Sequence, residues 1–453
     1  MDYDLIVVGG GAGGLSAARA GVRGGQTTLL INDGPLGGDC TFTGCVPSKT
    51  LIEGATQGLT FVEATDRVRK VVAQIAASED AGVLRSEGVH VIDGRARFSG
   101  QRRLTVGAER LTAPRIVLAT GSTALLPEIG GLRGVDPLTN ESVFDLTEAP
   151  RSLMIIGGGP IGCELAQAYR RLGVGIVLVE AGECLLPHEE PEVGALLGRL
   201  FVGDGIDVRL RTSVSRVERV GPDRIKCSMT DGSIVEADRV LVAAGRQPAT
   251  DGLDVAAGGI ELDHRGFVRT DDHLATTASG VFAVGDVTGR LPFTHAADEM
   301  GRIAVANAFS RLGRHRFDVS AVPWVTFTEP EVARVGISEV EAAAVGGRVA
   351  YLPMTELDRA IAAHRTEGFV KLIAGPRRLI GQAGGGKILG ATVMSERAGE
   401  LIHEVALAMR TGMFTGRLAQ TVHAYPTWSM AIRQAASQFF MTTGGRDARP
   451  AER

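Results

Sequence analysis

The chain has 453 residues, too long for a single hydrophobic core, so several domains are expected. Its formal net charge of −4 leaves no basic surface for nucleic acid, and no apolar run is long enough to span a bilayer. Glycine reaches 61 residues without a fixed period and sits at turns between apolar runs, which suits an α/β protein with many tight strand-to-helix connections.

The N-terminus, MDYDLIVVGGG, enters a strand pattern at once, with no basic segment and no cleavage site, so the cytoplasm is the expected compartment. The stretch DLIVVGGGAGGLSAARAG reads as strand, glycine turn and helix, with Gly9, Gly11 and Gly14 in the G-x-G-x-x-G spacing. The first glycine makes the turn, the second lets backbone approach a pyrophosphate, and the third lets helix pack on strand. The helix N-terminus then offers free N–H groups to phosphate. The following strand, TTLLIN, ends at Asn32 instead of an acid. Asn32 can still accept a ribose hydrogen bond, and Asp33, one residue on, points the other way.

Next comes GGDCTFTGCVPSKT, holding Cys40 and Cys45 with four residues between them. Zinc would want four ligands, usually at shorter spacings, and no histidine lies near. A structural disulfide is disfavoured in the cytoplasm. A redox pair fits best, because GCVPSKTLIEGA reads as a helix with Pro47 in its first turn. Cys45 then sits at the helix N-terminus, where the dipole stabilises a thiolate. Lys49, one turn on, adds a cation, or is simply a solvated surface lysine. Cys163, Cys184 and Cys227 stand apart and read as small hydrophobes.

A second copy of the glycine motif strengthens the first. SLMIIGGGPIGCELAQAYRRLGVGIVLVE repeats strand, turn, helix and strand, with Gly157, Gly159 and Gly162 in register and Glu180 at the end. A carboxylate there can accept from ribose hydroxyls and repels a 2′-phosphate, favouring NADH over NADPH. Two fingerprints imply two dinucleotides or one duplicated fold.

The segment GGDCTFTGCVPSK resembles the G-G-x-C-x-x-x-G-C-x-P-S-K signature of the class I FAD-dependent pyridine nucleotide–disulfide oxidoreductases. That family includes dihydrolipoyl dehydrogenase, glutathione reductase and mercuric reductase, and the likeness runs to about residue 440. It implies further FAD contacts at Gly38, at Thr120 and Gly121 in VLATGS, and at Gly285 and Asp286 in GVFAVGDVTG. Gly245, in VLVAAGRQP, falls in the segment that closes the NAD domain; Ala296 marks a helix N-terminus facing the flavin. Glu164 matches a glutamate that pairs with Lys49 beside the flavin; read by itself, it is an ordinary first-turn acid. The implied relay runs from NADH (NADPH being possible) through FAD to a Cys40–Cys45 disulfide, with Cys45 next to the flavin and Cys40 attacking the acceptor.

The resemblance also implies an architecture of two Rossmann-like dinucleotide-binding domains and a C-terminal α/β dimerisation domain. FAD is expected on residues 1–148 and 271–318, NAD(P) on 149–270, and the homodimer interface on 319–445; the polar tail 446–453 is expected to be disordered.

One departure stands out. Disulfide reductases of this family close with H-P-T-x-x-E, whose histidine serves the partner's interchange thiol, whereas this chain reads VHAYPTWSMAIRQ. Tyr425 takes the histidine position and Met430 the glutamate position; a phenol is a poor base at neutral pH. His423, two residues earlier, either deputises or makes an ordinary interface contact. The loop leans toward mercuric reductases, which use tyrosine there, yet the tail MTTGGRDARPAER holds no cysteine pair like theirs, and no N-terminal metal-binding domain is expected. Three readings follow. One is an NAD(P)H-dependent flavoprotein passing electrons to a metal ion, a small molecule such as a quinone, or a protein disulfide. The second is a dihydrolipoyl dehydrogenase with a relocated base, and the third a redox-silent FAD-binding scaffold or sensor.

Overall fold

The computed structural model describes residues 3–452 apart from 312, 378 and 380. They form two compact units, the first built from Met1–Gly157, Arg171–Gly175 and Val214–Phe317, the second from Gly158–Arg170, Ile176–Ser213 and Asp318–Arg453. Among the described residues no helix is long and apolar enough to cross a membrane.

The first unit is organised by a five-stranded parallel sheet in the order Val281–Ala283, Arg115–Leu118, Leu5–Val8, Thr28–Asn32, His90–Asp93. The central strand, LIVV, is buried along its whole length, as a parallel strand covered on both faces must be. On one face the helix Ala12–Arg23 packs against the helix Thr294–Phe309. Small residues set that spacing, since a side chain on Gly301 would strike the carbonyl oxygen of Gly13. A three-stranded antiparallel meander, Ala96–Gly100, Arg103–Val106 and Glu109–Thr112, contributes Phe98, Leu104 and Leu111 to a core shared with Ile6, Ile31 and Ile116. The same unit pairs Ser152–Ile156, which leads into the second glycine turn, in parallel with Arg239–Val242.

In the second unit, the strand Gly175–Val179 runs parallel to Asp207–Arg209. Its larger part is a six-stranded antiparallel sheet ordered Trp324–Thr326, Glu331–Gly336, Lys387–Ser395, Phe369–Gly375, Arg348–Pro353, Arg449–Pro450. Helices Ala398–Arg410 and Met430–Ser437 close its core through Ile402, Val405, Ile432 and Ala435. The parallel sheets and the separate antiparallel α/β layer are the fold class expected from the sequence.

The tail corrects that reading. Arg449–Pro450 pairs with Arg348–Pro353, and the Arg449 guanidinium binds Glu339. Glu339 in turn reaches Lys371 at 2.8 Å, a lysine only 1 % exposed that also meets Glu190 at 3.1 Å and Glu192 at 2.6 Å. A polar composition pointed to disorder, but Arg449 is answered by the buried Glu339, which also accepts the Glu452 N–H and so fixes the tail as far as that residue.

Candidate active site

The first glycine turn leaves the end of Leu5–Val8. Gly9 has φ +104°, a left-handed conformation that favours glycine, and its missing side chain leaves room for the backbone of Ala119. Gly14 is pressed against the Gly9 carbonyl, while a side chain on Gly11 would meet nothing nearer than 3.9 Å. Two glycines therefore serve packing, and the middle one leaves an open cradle. Asn32 closes the turn: its Oδ1 accepts the Gly10 N–H at 2.7 Å, and its Nδ2 donates to the carbonyls of Gly34 and Pro35. Asp33, just past the strand's end, pairs with Arg95.

From there the chain reaches the cysteine loop, which is fastened back on the cradle. Gly37 donates to the Gly10 carbonyl at 2.8 Å, and Gly37 bridges Gly11. Gly38, at φ +63°, lies against Gly11, where a side chain would come within 2.8 Å of its Cα. Cys40 lies in the short helix Gly38–Phe42, and Cys45 is the first residue of the helix Cys45–Thr56, with Pro47 in its first turn. Lys49 follows Cys45 by one turn.

The two cysteines stand as thiols in mutual contact, Cys45 exposed and Cys40 partly buried. The hydrogen bond with Cys45, and then burial, holds the Cys40 thiol far above the ordinary thiol range. Thr294, the first residue of the helix Thr294–Phe309, places its Oγ1 3.5 Å from the Cys45 sulfur. Ala296 is buried two residues further on.

A third group joins the same unit. Gly285 and Asp286 begin a short helical turn, and Asp286 accepts from Ser122 Oγ at 2.7 Å. Ser122 follows Thr120 and Gly121, the latter at φ +74°. Arg246, next to Gly245 on the strand Arg246–Pro248, donates to Ser122 Oγ and to the Ser122 carbonyl, each at 2.7 Å, and pairs with Asp39. The sequence reading missed Arg246, Ser122 and Thr294. Each gains its role through a contact more than a hundred residues away, although Arg246 and Ser122 stood in motifs already singled out.

The second glycine turn repeats the first. Gly157 has φ +113° and faces the Ala243 carbonyl, Gly162 is buried in the helix Pro160–Arg171, and Gly159 has open space where a side chain would sit. Glu180 takes the place of Asn32, with Oε2 accepting the Gly158 N–H at 2.7 Å and Oε1 the Gly182 N–H at 2.6 Å. Glu164 is 5 % exposed and accepts the Phe327 N–H at 2.8 Å. In the C-terminal segment Tyr425 is exposed and donates to Asp358 at 2.9 Å, a bond that pushes its phenol further above the usual range. His423 presents Nε2 to Glu404 at 3.0 Å and Nδ1 to the Thr421 carbonyl at 3.0 Å.

A family model for pyridine nucleotide-disulphide oxidoreductases matches residues 3–301, and that family's dimerisation domain matches 322–436. The chain belongs to the pyridine nucleotide-disulphide oxidoreductase family. It is 32 % identical to a mercuric reductase of Bacillus cereus over 97 % of this chain and 72 % of that one. It is 33 % identical to a dihydrolipoyl dehydrogenase of Thermus scotoductus over 96 % of each. Among solved structures, the Cu(II) complex of the HOCl-induced flavoprotein disulfide reductase RclA from Escherichia coli superposes with a TM-score of 0.88 at 28 % identity, covering 96 % of this chain and 99 % of that one.

The protein is thus a flavoprotein oxidoreductase, and members of this family bind FAD and use NAD(P)H. The residues present fit such a cofactor. The open cradle at Gly11 suits a pyrophosphate, and the buried hydroxyls of Thr43 and Thr120 have no hydrogen-bond partner among the described residues.

Proposed function

We propose that this protein is an FAD-dependent NAD(P)H oxidoreductase, working as a homodimer, that delivers electrons through Cys40 and Cys45 to a soft metal ion. The observation that carries the reading is the thiol pair itself. Bound FAD would take a hydride from NAD(P)H and supply the electron pair that opens a Cys40–Cys45 disulfide. The Gly9–Gly14 turn, with Gly38, Thr120, Gly121, Gly285 and Asp286, would hold it. The Gly157–Gly162 turn and Glu180 would hold the nicotinamide dinucleotide, NADH by preference.

Two electrons and two protons convert the disulfide into two thiols. Attack on an external disulfide needs a thiolate, and Cys40 keeps its proton because Cys45 and burial favour the neutral form. A base would have to remove it. Tyr425 is itself a donor, to Asp358, and Met430 carries no charge to orient anything. A soft divalent ion needs no such base, since it displaces both thiol protons by binding two sulfurs. Return of two electrons to the metal, or one to each of two ions, re-forms the disulfide and balances the cycle. Similarity to mercuric reductases and to a reductase solved as a Cu(II) complex supports this choice of acceptor.

The rival reading, a dihydrolipoyl dehydrogenase based on His423, would need a ring nitrogen with a lone pair aimed at a thiol. Both nitrogens of His423 instead face oxygen acceptors of its own unit.

The test is anaerobic titration with NADH followed by an acceptor assay with Hg(II), Cu(II) and lipoamide. A long-wavelength absorbance band that Cys45→Ser abolishes, with metal turnover well above lipoamide turnover, is the expected result. Lipoamide turnover that matches the metals, and does not rise in Tyr425→His/Met430→Glu, would hand the assignment to the rival. Flavin reduction without the band would end the thiol-relay reading.

A further inference from the structure

Asp39 is a carboxylate in an awkward place. It is the next residue after Gly38, which lies against Gly11, and the loop is bonded to Gly10 through Gly37. If the Gly11 cradle receives the FAD pyrophosphate, an acid within one residue of it opposes the anion it must hold. The Asp39 carboxylate is 47 % exposed and therefore partly screened, but a diphosphate docked on the loop would displace part of that water.

Among the described residues one cation pairs with this acid. Arg246 pairs with Asp39 through Nη2, and the guanidinium is anchored in place: Nη2 also donates to the Ser122 carbonyl, and Nε to Ser122 Oγ. Ser122 passes the contact on to Asp286, whose carboxylate also lies 3.7 Å from Arg246 Nε. The arginine itself sits on a short strand paired with Ser122–Ala124, so its backbone is fixed as well. One guanidinium thus serves two carboxylates, Asp39 beside the cysteine loop and Asp286 on the helical turn.

We infer that Arg246 is a positioning residue that neutralises Asp39, so that the loop carrying Cys40 can lie against a bound diphosphate. This rests on the reading that FAD occupies the Gly9–Gly14 turn. Its distinguishing feature is that the requirement for Arg246 comes from Asp39: remove the acid, and the arginine loses most of its importance.

The test measures FAD dissociation constants by the fluorescence of released flavin, on full-length apoprotein reloaded with FAD. Arg246→Met is expected to weaken FAD binding about tenfold or more, and Asp39→Asn/Arg246→Met to recover to within about threefold of the parent. Asp39→Asn alone should bind FAD as tightly as the parent, which keeps the idea testable if Arg246→Met fails to fold. An unrescued double variant, an unaffected Arg246→Met, or a weakened Asp39→Asn would each overturn the inference. Gly11→Val separates the underlying reading: if it leaves FAD affinity unchanged, the cofactor is not in this cradle, and that failure is distinct from a failed rescue.

Discussion

The two glycine turns share one frame and differ in what closes it. In both, a side chain at or just past the end of the second strand accepts the N–H of the turn's second residue, Gly10 for Asn32 and Gly158 for Glu180. That residue is therefore a clamp on the turn before it is anything to a ribose. The difference lies in the second half of each side chain. The Asn32 amide donates forward to Gly34 and Pro35, on the way to the cysteine loop. The second Glu180 oxygen accepts from Gly182 and stays local. A neutral amide wires the first turn to the thiols, and a carboxylate keeps its charge for the second turn, where each oxygen still has a lone pair for a hydroxyl.

The most severe way to break the shared frame is Gly14→Val, whose side chain would be driven into the Gly9 carbonyl. Protein without bound flavin, or no folded protein, is expected, read as flavin per chain and by thermal melting. Gly159→Ala is its counterpart: open space at that position predicts an unchanged melting temperature. The methyl would fill room meant for a pyrophosphate, so KM for NADH should rise about tenfold.

Asn32→Asp probes the forward wiring. It turns a donor into an acceptor against two carbonyls, at 2.8 and 3.2 Å, and should cost about 1–3 kcal/mol in chemical denaturation. Glu180→Gln sharpens the other side. One backbone N–H loses its acceptor, for about 1–2 kcal/mol, and the preference for NADH over NADPH should shrink about tenfold. An unaltered preference would leave Glu180 as a turn clamp alone.

The smallest effect at neutral pH is expected where no cofactor is involved. Burial would raise the Glu339 carboxyl, but hydrogen bonds from Arg449 and Lys371 outweigh it and bring the group down to about 2. A folded value below the ordinary 4.5 means that this contribution is present above pH 4.5 and lost as pH falls toward 2. Arg449→Ala should flatten that acid limb of a melting-temperature series, with little change near neutrality.

What the sequence made legible was local. Glycine spacing gave both turns, and Pro47 with the apolar run after Cys45 gave the helix that begins at that cysteine. Partners distant in the chain were beyond reach. No pattern links Asp39 to Arg246, or Tyr425 to Asp358, because sheet pairing and chain crossovers bring them together. Met430 holds the position where the family's motif carries a glutamate, and the acid that meets Tyr425 is Asp358, from another element. The tail was misread for a related reason: composition records that Arg449 is charged, not that the buried Glu339, itself held by Lys371, awaits it.

That tail has a practical corollary. Exopeptidase trimming past Arg449, or a bulky fusion that prises the segment away, would strip the outer strand from Arg348–Pro353 and leave an unpaired backbone edge. It would also leave three carboxylates gathered around the single Lys371 ammonium. A preparation shortened by a handful of residues would then self-associate, with both dinucleotide turns intact, and an affinity handle is better placed elsewhere.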